Sequence, residues 1–232
     1  ILPAAVVNKR VAAKANELAQ QRGRPVGAKE RRRIKDEVMD ELLPRALSRP
    51  TRTTGFADLK NGWVVVDSAS RSAADGFVAK IREALGSFPA MNLEPEESPR
   101  AVMTEWMIEG ALPEGFRLGE ECELQDPADN GAVVRCRRQD LRSEEMREHL
   151  TSGKQVTQLE LIFDDRLRFV LTEDLALRKI KLLDMAVESL EKNDRDTANA
   201  ELDARFALLA GEVSRLLARL EDVFGVRRPS MN

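Results

Sequence analysis

Residues 158–171, QLELIFDDRLRFVL, alternate between apolar and polar side chains on either side of an acidic pair. Before the pair the alternating apolar positions are 159, 161 and 163, and after it they are 167, 169 and 171. A period of two is the spacing at which the side chains of a β-strand share a face. Asp164 and Asp165 mark a turn, so the segment predicts two antiparallel strands joined by these residues.

Further strands are predicted on both sides of this pair. Residues 56–60 and 63–66 flank Asn61-Gly62, a dipeptide that favours the positive φ angles of a type I′ hairpin turn. The same reasoning predicts strands over 116–124 and 132–138, around Asn130-Gly131, and a third strand beside the central pair over 178–182.

Two amphipathic segments near the start of the chain predict a helical hairpin. They span residues 5–21 and about 29–43, and Gly23 and Pro25 break the periodicity between them. Four more segments have helical periodicity: 70–86, 98–110, 143–151 and 197–224. Helices interspersed with hairpins favour an α+β fold with antiparallel sheets and packed helices, from which we expect the helical hairpin to project as an arm.

This pattern suggests three regions along the chain. We expect a basic helical arm over 1–50, a central α+β region over 51–142 and a C-terminal α+β region over 143–232 that ends in the long helix. The first residues, Ile1-Leu2-Pro3, include no Met and have no leader pattern, so we expect an intracellular protein whose true N-terminus lies further upstream.

Charge is distributed unevenly along the 232 residues. The whole chain has 37 basic and 40 acidic side chains, a net charge of −3. Residues 1–60 hold 14 basic and 7 acidic side chains, whereas the remainder holds 23 and 33. A basic N-terminal quarter on an acidic body is compatible with a nucleic-acid partner, which the net charge alone would argue against.

The composition argues against several classes of protein. Aromatic residues make up 4% of the chain, too few for a reader of single strands that works by base stacking. Two cysteines and one histidine do not supply a disulfide framework or a zinc site. The sequence has no phosphate-binding loop, nucleophile elbow or zinc-protease motif and no long apolar run, so we expect no cofactor, no metal and no membrane span.

One short element leaves an enzymatic alternative open. Asp58-Leu59-Lys60 precedes a hairpin turn and is similar to the acidic-x-Lys element of metal-dependent nucleases. That chemistry needs a second carboxylate at the metal, and the sequence does not identify one.

Basic clusters are the main candidates for a binding site. One cluster lies on the second predicted helix, another follows that helix, and a third ends a predicted strand. Their members are Arg31, Arg32, Arg33 and Lys35; Arg45 and Arg49; and Arg135, Arg137, Arg138 and Gln139. Such side chains bind phosphate oxygens in any sequence context, and no helix-turn-helix or zinc finger accompanies them. If these clusters bind DNA, we therefore expect binding without sequence preference.

An ordered set of short motifs resembles the recombination-associated protein RdgC family over essentially the whole chain. In sequence order these motifs are Lys35-Asp36-Glu37-Val38, Leu42-Leu43-Pro44-Arg45-Ala46, Ser48-Arg49, Asn61-Gly62, Val65-Val66-Asp67, Leu85-Gly86-Ser87, Thr104-Glu105-Trp106, Arg138-Gln139-Asp140-Leu141, Ser143-Glu144-Glu145, Gly153-Lys154, Val156-Thr157 and Ala210-Gly211-Glu212.

The resemblance implies a non-enzymatic, cytoplasmic, nucleoid-associated protein that binds double-stranded DNA without sequence preference. It further implies a ring-shaped homodimer that encircles DNA and restrains RecA-promoted recombination. On the matching motifs it implies DNA contacts by Arg138 and Gln139 and a role for Arg45 and Arg49 beside a subunit contact. Leu43 and Leu47 are candidates for that contact, although the family pattern leads us to expect an aromatic residue at position 47.

A second hypothesis needs no DNA contact. The helical arm and the long C-terminal helix could each present an apolar face to another protein, with the arginines serving only to solvate the surface.

Overall fold

Two helices begin the chain in the structure, a computed structural model that describes residues 2–46, 52–128, 131–191 and 198–228. Helix α1 spans Ala4–Arg22 and helix α2 spans Ala28–Leu42, followed by a 3₁₀ turn over Leu43–Arg45. Gly23 ends α1 in the left-handed conformation, with φ +63°. The two helices were predicted to within about a residue at each end.

The helix pair has its own small apolar core. Val7 and Ala15 of α1 pack with Ile34 and Val38 of α2, and Val38 is fully buried. Ion pairs hold the polar edges together: Glu41 lies 3.0 Å from Arg10 and 2.8 Å from Lys14, and Glu30 pairs with Arg22 and Arg24. Contacts between opposite ends of the two helices show that they are antiparallel. The projection of this pair as an arm stays a prediction.

The chain divides into two compact units, residues 1–52 and residues 53–232. The second unit starts with strands β1, Gly55–Asp58, and β2, Trp63–Val66, which form an antiparallel two-stranded sheet. The register pairs Asp58 with Trp63, so the connecting loop has four residues. Only Gly62 in it has a positive φ, of +72°, and the predicted two-residue type I′ turn is therefore wrong. The Asp58 side chain accounts for the difference, because it accepts hydrogen bonds from Asn61 and stabilises the wider loop.

The remaining elements of the second unit follow in a regular order. They are α3 Arg71–Leu85, α4 Pro99–Glu109, β3 Phe116–Gln125, β4 Val133–Arg137, α5 Glu144–Thr151, β5 Gln155–Phe163, β6 Leu167–Thr172, β7 Leu177–Leu182, α6 Asp184–Glu191 and α7 Ala198–Phe224. Strands β3 to β7 form one antiparallel sheet in the order β4-β3-β5-β6-β7. This confirms the predicted α+β class with antiparallel sheets and packed helices. Helix α6 was not predicted.

The five-stranded sheet contains strands from both regions that the sequence suggested, 51–142 and 143–232. Strand β3 of the first region pairs with β5 of the second along most of its length. The sheet therefore links the two regions, and the division between them stays a prediction.

One face of this sheet carries the main hydrophobic core. Leu159, Leu161 and Phe169 are fully buried there, as the alternation predicted. Helices α4 and α7 cover this face, and an aromatic cluster joins all three layers, with the ring of Trp106 5.8 Å from Phe224 and 6.3 Å from Phe116.

The opposite face of β5 and β6 is less exposed than a simple alternation predicts. Ile162, Val170 and even Glu160 are at least nine-tenths buried, although they point away from the main core. These residues lie on β5 and β6, which have a paired strand on each side. This face of the sheet carries the candidate site.

Candidate nucleic-acid interface

The second face of the five-stranded sheet is a polar cleft. Arg135 and Arg137 of β4 line it together with Glu121 and Glu123 of β3, and Gln158, Arg178 and Lys179 add to the lining from β5 and β7. Cys122, Cys136 and Val170 also border it. Lys179 forms an ion pair with Glu121, although β5 and β6 lie between their strands. Adjacent strands are about 4.8 Å apart, so the two backbones would be about 14 Å apart in a flat sheet. The pair therefore extends across the two intervening strands, and the residues around it border one cleft, which makes this face concave where they lie.

Two of the cations in the cleft are neutralised by carboxylates. Arg135 Nε lies 2.6 Å from Glu123 Oε2, and Lys179 pairs with Glu121. Partial burial tends to raise the pKa of Glu123, but the hydrogen bond and charge of Arg135 outweigh it and hold that pKa below its usual range. Arg137 and Arg178 form no ion pair with any residue that the structure describes. They leave the cleft with a positive charge available to an anion.

A β-bulge sets the position of the residues that follow β4. The pairing of β3 with β5 shifts register between Leu118 and Cys122, and Gly119 lies inside that shift. A Cβ atom at Gly119 would be 2.4 Å from Glu160 Oε2, so the buried Glu160 side chain needs glycine there. The carboxylate accepts a hydrogen bond of 2.7 Å from the backbone N–H of Glu120, whose carbonyl in turn accepts one from Gln139.

The Arg138-Gln139-Asp140-Leu141 motif forms the turn from β4 to α5. Arg138 has a left-handed backbone, with φ +54°, and its side chain is exposed. Gln139 donates from Nε2 to Glu145 of α5 at 2.7 Å, and Asp140 Oδ1 accepts from the N–H of Arg142 at 2.9 Å. Leu141 is buried in the main core. The turn is thus anchored at the three positions that follow Arg138, whose exposed side chain has no such anchor.

Within this motif, Arg138 and Gln139 differ in whether their side chains already have a partner. Arg138 directly follows the strand that carries Arg135 and Arg137, and it forms no ion pair within the described ranges. One N–H of the Gln139 amide donates to Glu145, which leaves its second N–H as a donor and its carbonyl oxygen as an acceptor for a ligand.

The other predicted site residues lie in the helix pair. Arg31, Arg32 and Lys35 are exposed on α2 without an ion pair in the part of the chain that is described, whereas Arg33 pairs with Glu37 at 3.3 Å. Arg45 is exposed in the 3₁₀ turn, and the Leu43 side chain beside it is 55% exposed. Arg49 and Leu47 lie outside the described residues. The candidate cations therefore fall into two sets, one in each unit.

Sequence reasoning missed the contribution of β7 to the cleft. Residues 178–182 were predicted as a strand, but their cations were not assigned to a site. A strand of alternating charge beside two core strands is a signal for a polar sheet face. Strands β7 and β4 are opposite edges of the sheet, however, and only the folded sheet brings their cations to the same cleft.

Asp58 is the residue on which the nuclease alternative depends, and its side chain accepts hydrogen bonds that stabilise the fold. Its carboxylate accepts from Ser214 Oγ of α7 at 2.6 Å, and from Asn61 Nδ2 and backbone N–H at 2.7 and 3.1 Å. The bonds from Ser214 and Asn61 lower the pKa of Asp58 to about 2. Within the described ranges, no group of three or more His, Cys, Asp or Glu side chains is placed to hold a metal ion. Among the described residues, Asp58 therefore belongs to no such group.

None of the helices in the described ranges combines the length and apolarity needed to cross a membrane.

Comparison with known proteins gives a consistent family assignment. The sequence model of a family described as "Putative exonuclease, RdgC" matches residues 1–227. A recombination-associated protein RdgC from Xanthomonas campestris pv. campestris (strain B100) is 50% identical over 222 residues, which cover 96% of this chain and 74% of that protein. The protein of the same name from Stenotrophomonas maltophilia (strain R551-3) is 50% identical over 224 residues, covering 97% and 74%. The chain belongs to the RdgC family of recombination-associated proteins.

Proposed function

We propose that this protein binds double-stranded DNA without sequence preference. The observation that carries the proposal is the concave sheet face, where Arg137 and Arg178 have no carboxylate partner and Arg138 extends from the adjoining turn. Guanidinium groups bind phosphate oxygens by charge-assisted hydrogen bonds, and the release of counterions drives such binding in any base sequence. A concave surface also suits a cylindrical ligand better than a flat one does.

The proposal extends to assembly and role. As the family resemblance leads us to expect, the protein acts as a ring-shaped homodimer with DNA in its central hole, and it restrains RecA-promoted recombination by occupying the DNA. The cations of α2 and Arg45 would add phosphate contacts, and Leu43 and Leu47 would contribute to a subunit contact. An acidic exterior would direct the duplex toward the basic surfaces. Nucleoid association would follow from the same affinity for DNA.

The test of DNA binding combines two substitutions in one variant. Arg137→Ala and Arg138→Ala remove two exposed side chains that form no ion pair with the described residues, so we expect the variant to fold. Each phosphate contact contributes about 0.9 to the slope of log affinity against log salt concentration. We therefore expect the slope for a DNA duplex to become shallower by about 2 and affinity at low salt to fall at least about tenfold.

Arg117→Ala is the matched control. Arg117 lies on the same sheet and is similarly exposed, but it pairs with Asp165 outside the cleft. We expect its salt slope to stay near that of the unmodified protein. Equal losses in the two variants, or an unchanged slope in the double variant, would contradict a site in the cleft.

A second candidate function is docking to another protein without DNA contact. Exposed apolar side chains favour it: Leu202 and Phe206 of α7 are 67% and 53% exposed. Absence of binding to a DNA duplex even at low salt, together with capture of a protein partner that Leu202→Ser abolishes, would favour this function. We propose that the protein works by binding rather than catalysis. Cleavage of DNA with Mg²⁺ that disappears in Asp58→Ala would show instead that the nuclease alternative is correct.

A further inference from the structure

Cys122 and Cys136 lie directly opposite each other on β3 and β4. The backbone N–H of Asp126 donates to the carbonyl of its own register partner, Ala132, at 3.1 Å. Because hydrogen-bonded and non-hydrogen-bonded pairs alternate along an antiparallel ladder, Cys122 and Cys136, four positions further along, are again a hydrogen-bonded pair. The Cα atoms of such a pair are about 5.5 Å apart, which is within the range that a disulfide spans.

The surroundings of the two thiols favour the reduced state at rest. Both side chains are buried, and Cys136 Sγ lies 3.4 Å from the sulfur of Met146 on α5. Burial, followed by the proximity of Cys136, raises the pKa of the Cys122 thiol above its usual range. A protonated, buried thiol reacts slowly with oxidants.

The position of β4 at the edge of the sheet gives oxidants a way to reach the buried thiols. It is an edge strand of five residues that pairs only with β3, so its outward opening requires the loss of one ladder. Edge strands of this length open locally more often than the central strands of a sheet. Opening brings Cys136 to solvent while Cys122 stays on its neighbour, and reclosing returns the two sulfurs to contact.

We propose that Cys122 and Cys136 form a reversible redox site that peroxides oxidise to a cross-strand disulfide. One thiol gives up its proton and attacks a peroxide oxygen, the O–O bond breaks, and a sulfenic acid and water form. The second thiol then attacks the sulfenic sulfur, which releases a second water and forms the S–S bond. Two thiols and one hydrogen peroxide thus yield one disulfide and two waters.

The disulfide would change the strand that carries the candidate DNA contacts. It would close a loop across β3 and β4 and prevent the outward opening of β4, which holds Arg135 and Arg137 and leads into Arg138. The redox state of the two cysteines would therefore determine how readily β4 opens at the edge of the sheet. This assignment depends on strand register alone and stands whether or not the cleft binds DNA.

The experiment treats the folded, full chain with hydrogen peroxide, blocks remaining thiols with iodoacetamide, and maps peptides by mass spectrometry without reduction. We expect a peptide pair linked through Cys122 and Cys136 within one molecule, lighter by two hydrogen atoms and separated by dithiothreitol. Backbone amides of Val133–Arg137 should exchange at least about tenfold more slowly in the oxidised form.

Two variants make the outcome decisive. Cys122→Ala and Cys136→Ala each keep one thiol in the same packing, so neither can form the internal link or slow the exchange of β4 under peroxide. The proposal is overturned if folded protein retains two alkylatable thiols after peroxide has oxidised its exposed methionines. It is equally overturned if the cysteines link only between molecules or if the linked form exchanges as fast as the reduced one.

Discussion

Asp58 connects two parts of the chain that are 156 residues apart in sequence. Its carboxylate accepts a hydrogen bond from Ser214 of α7 while it stabilises the loop of its own hairpin through Asn61. Three donors on one carboxylate favour its ionised form, which is why the pKa of Asp58 falls to about 2. The residue that attracted attention as a catalytic candidate thus has a structural role that only the folded chain reveals.

The first prediction concerns the acid stability of the protein. Because the pKa of Asp58 is about 2 in the folded state against an ordinary 3.8, the ionised carboxylate stabilises the fold above pH 3.8. This stabilisation is lost as the pH falls toward 2. We expect Asp58→Asn to lower the melting temperature at neutral pH and to reduce the loss of stability between about pH 4 and pH 2.

Thermal unfolding followed by circular dichroism measures this effect. Asp75→Asn, at an exposed aspartate of α3, is the matched control and is expected to leave the pH profile unchanged. A variant at position 58 whose melting temperature runs parallel to that of the unmodified protein at every pH would contradict the proposed linkage.

Helix α7 shows how one element can have two different environments. Its C-terminal half buries Leu216 and Phe224 completely against the sheet, whereas its N-terminal half exposes Leu202 and Phe206. Phe206 does make one contact, since its ring meets the ring of Phe56 edge-on with centroids 5.5 Å apart. The apolar periodicity is continuous along the helix, but only the second half of it belongs to the core.

The second prediction compares two leucines of this helix. Leu216→Ala leaves a cavity between α7 and the sheet and is expected to lower the free energy of unfolding by about 3 kcal/mol. Leu202→Ala removes the same atoms from an exposed position and is expected to change it by less than about 0.5 kcal/mol. Urea unfolding at equilibrium measures both, and similar losses in the two variants would place the whole helix in the core.

At the scale of the whole molecule, the described residues form two hydrophobic clusters of unequal size. The cluster around Leu159, Phe169 and Leu216 belongs to residues 53–232, and the cluster around Ile34 and Val38 belongs to residues 1–52. The smaller one has four buried members, including two of modest size, Val7 and Ala15. Its helices therefore gain less from burial and are expected to open more readily than the central strands of the sheet.

The third prediction tests the independence of the two units by hydrogen exchange. Val38→Ala removes methyl groups from the centre of the smaller cluster and is expected to accelerate amide exchange in α1 and α2 at least about tenfold. Exchange in β5 and β6 is expected to stay the same. Faster exchange in both places would show that the two units unfold together.

Much of the architecture was predictable from local patterns. Periodicities of two and 3.6 identified most helices and strands to within a few residues, because these signals depend on neighbours in the chain. Asp164 and Asp165 were predicted as a turn, and both have positive φ angles in the structure. Helix α6 was missed because its apolar pattern is short and directly follows a strand.

The candidate cleft required more than local patterns. Arg135, Arg137 and Arg138 are adjacent in sequence and could be selected as a basic cluster, whereas Arg178 joins them only because β7 and β4 border the same concave sheet. The opposition of Cys122 and Cys136 likewise depends on the register of β3 and β4. Neither arrangement has a signature in the spacing of the residues along the chain.

The amino-acid sequence by itself determined the α+β class, the helix pair, the uneven charge and the family, since each is encoded in local periodicity, composition or ordered motifs. Folding determined which cations of the cleft have no ion-pair partner, that the carboxylate of Asp58 accepts structural hydrogen bonds, and which half of α7 is buried. These properties depend on contacts between residues far apart in sequence, and strand order and side-chain packing bring such residues together.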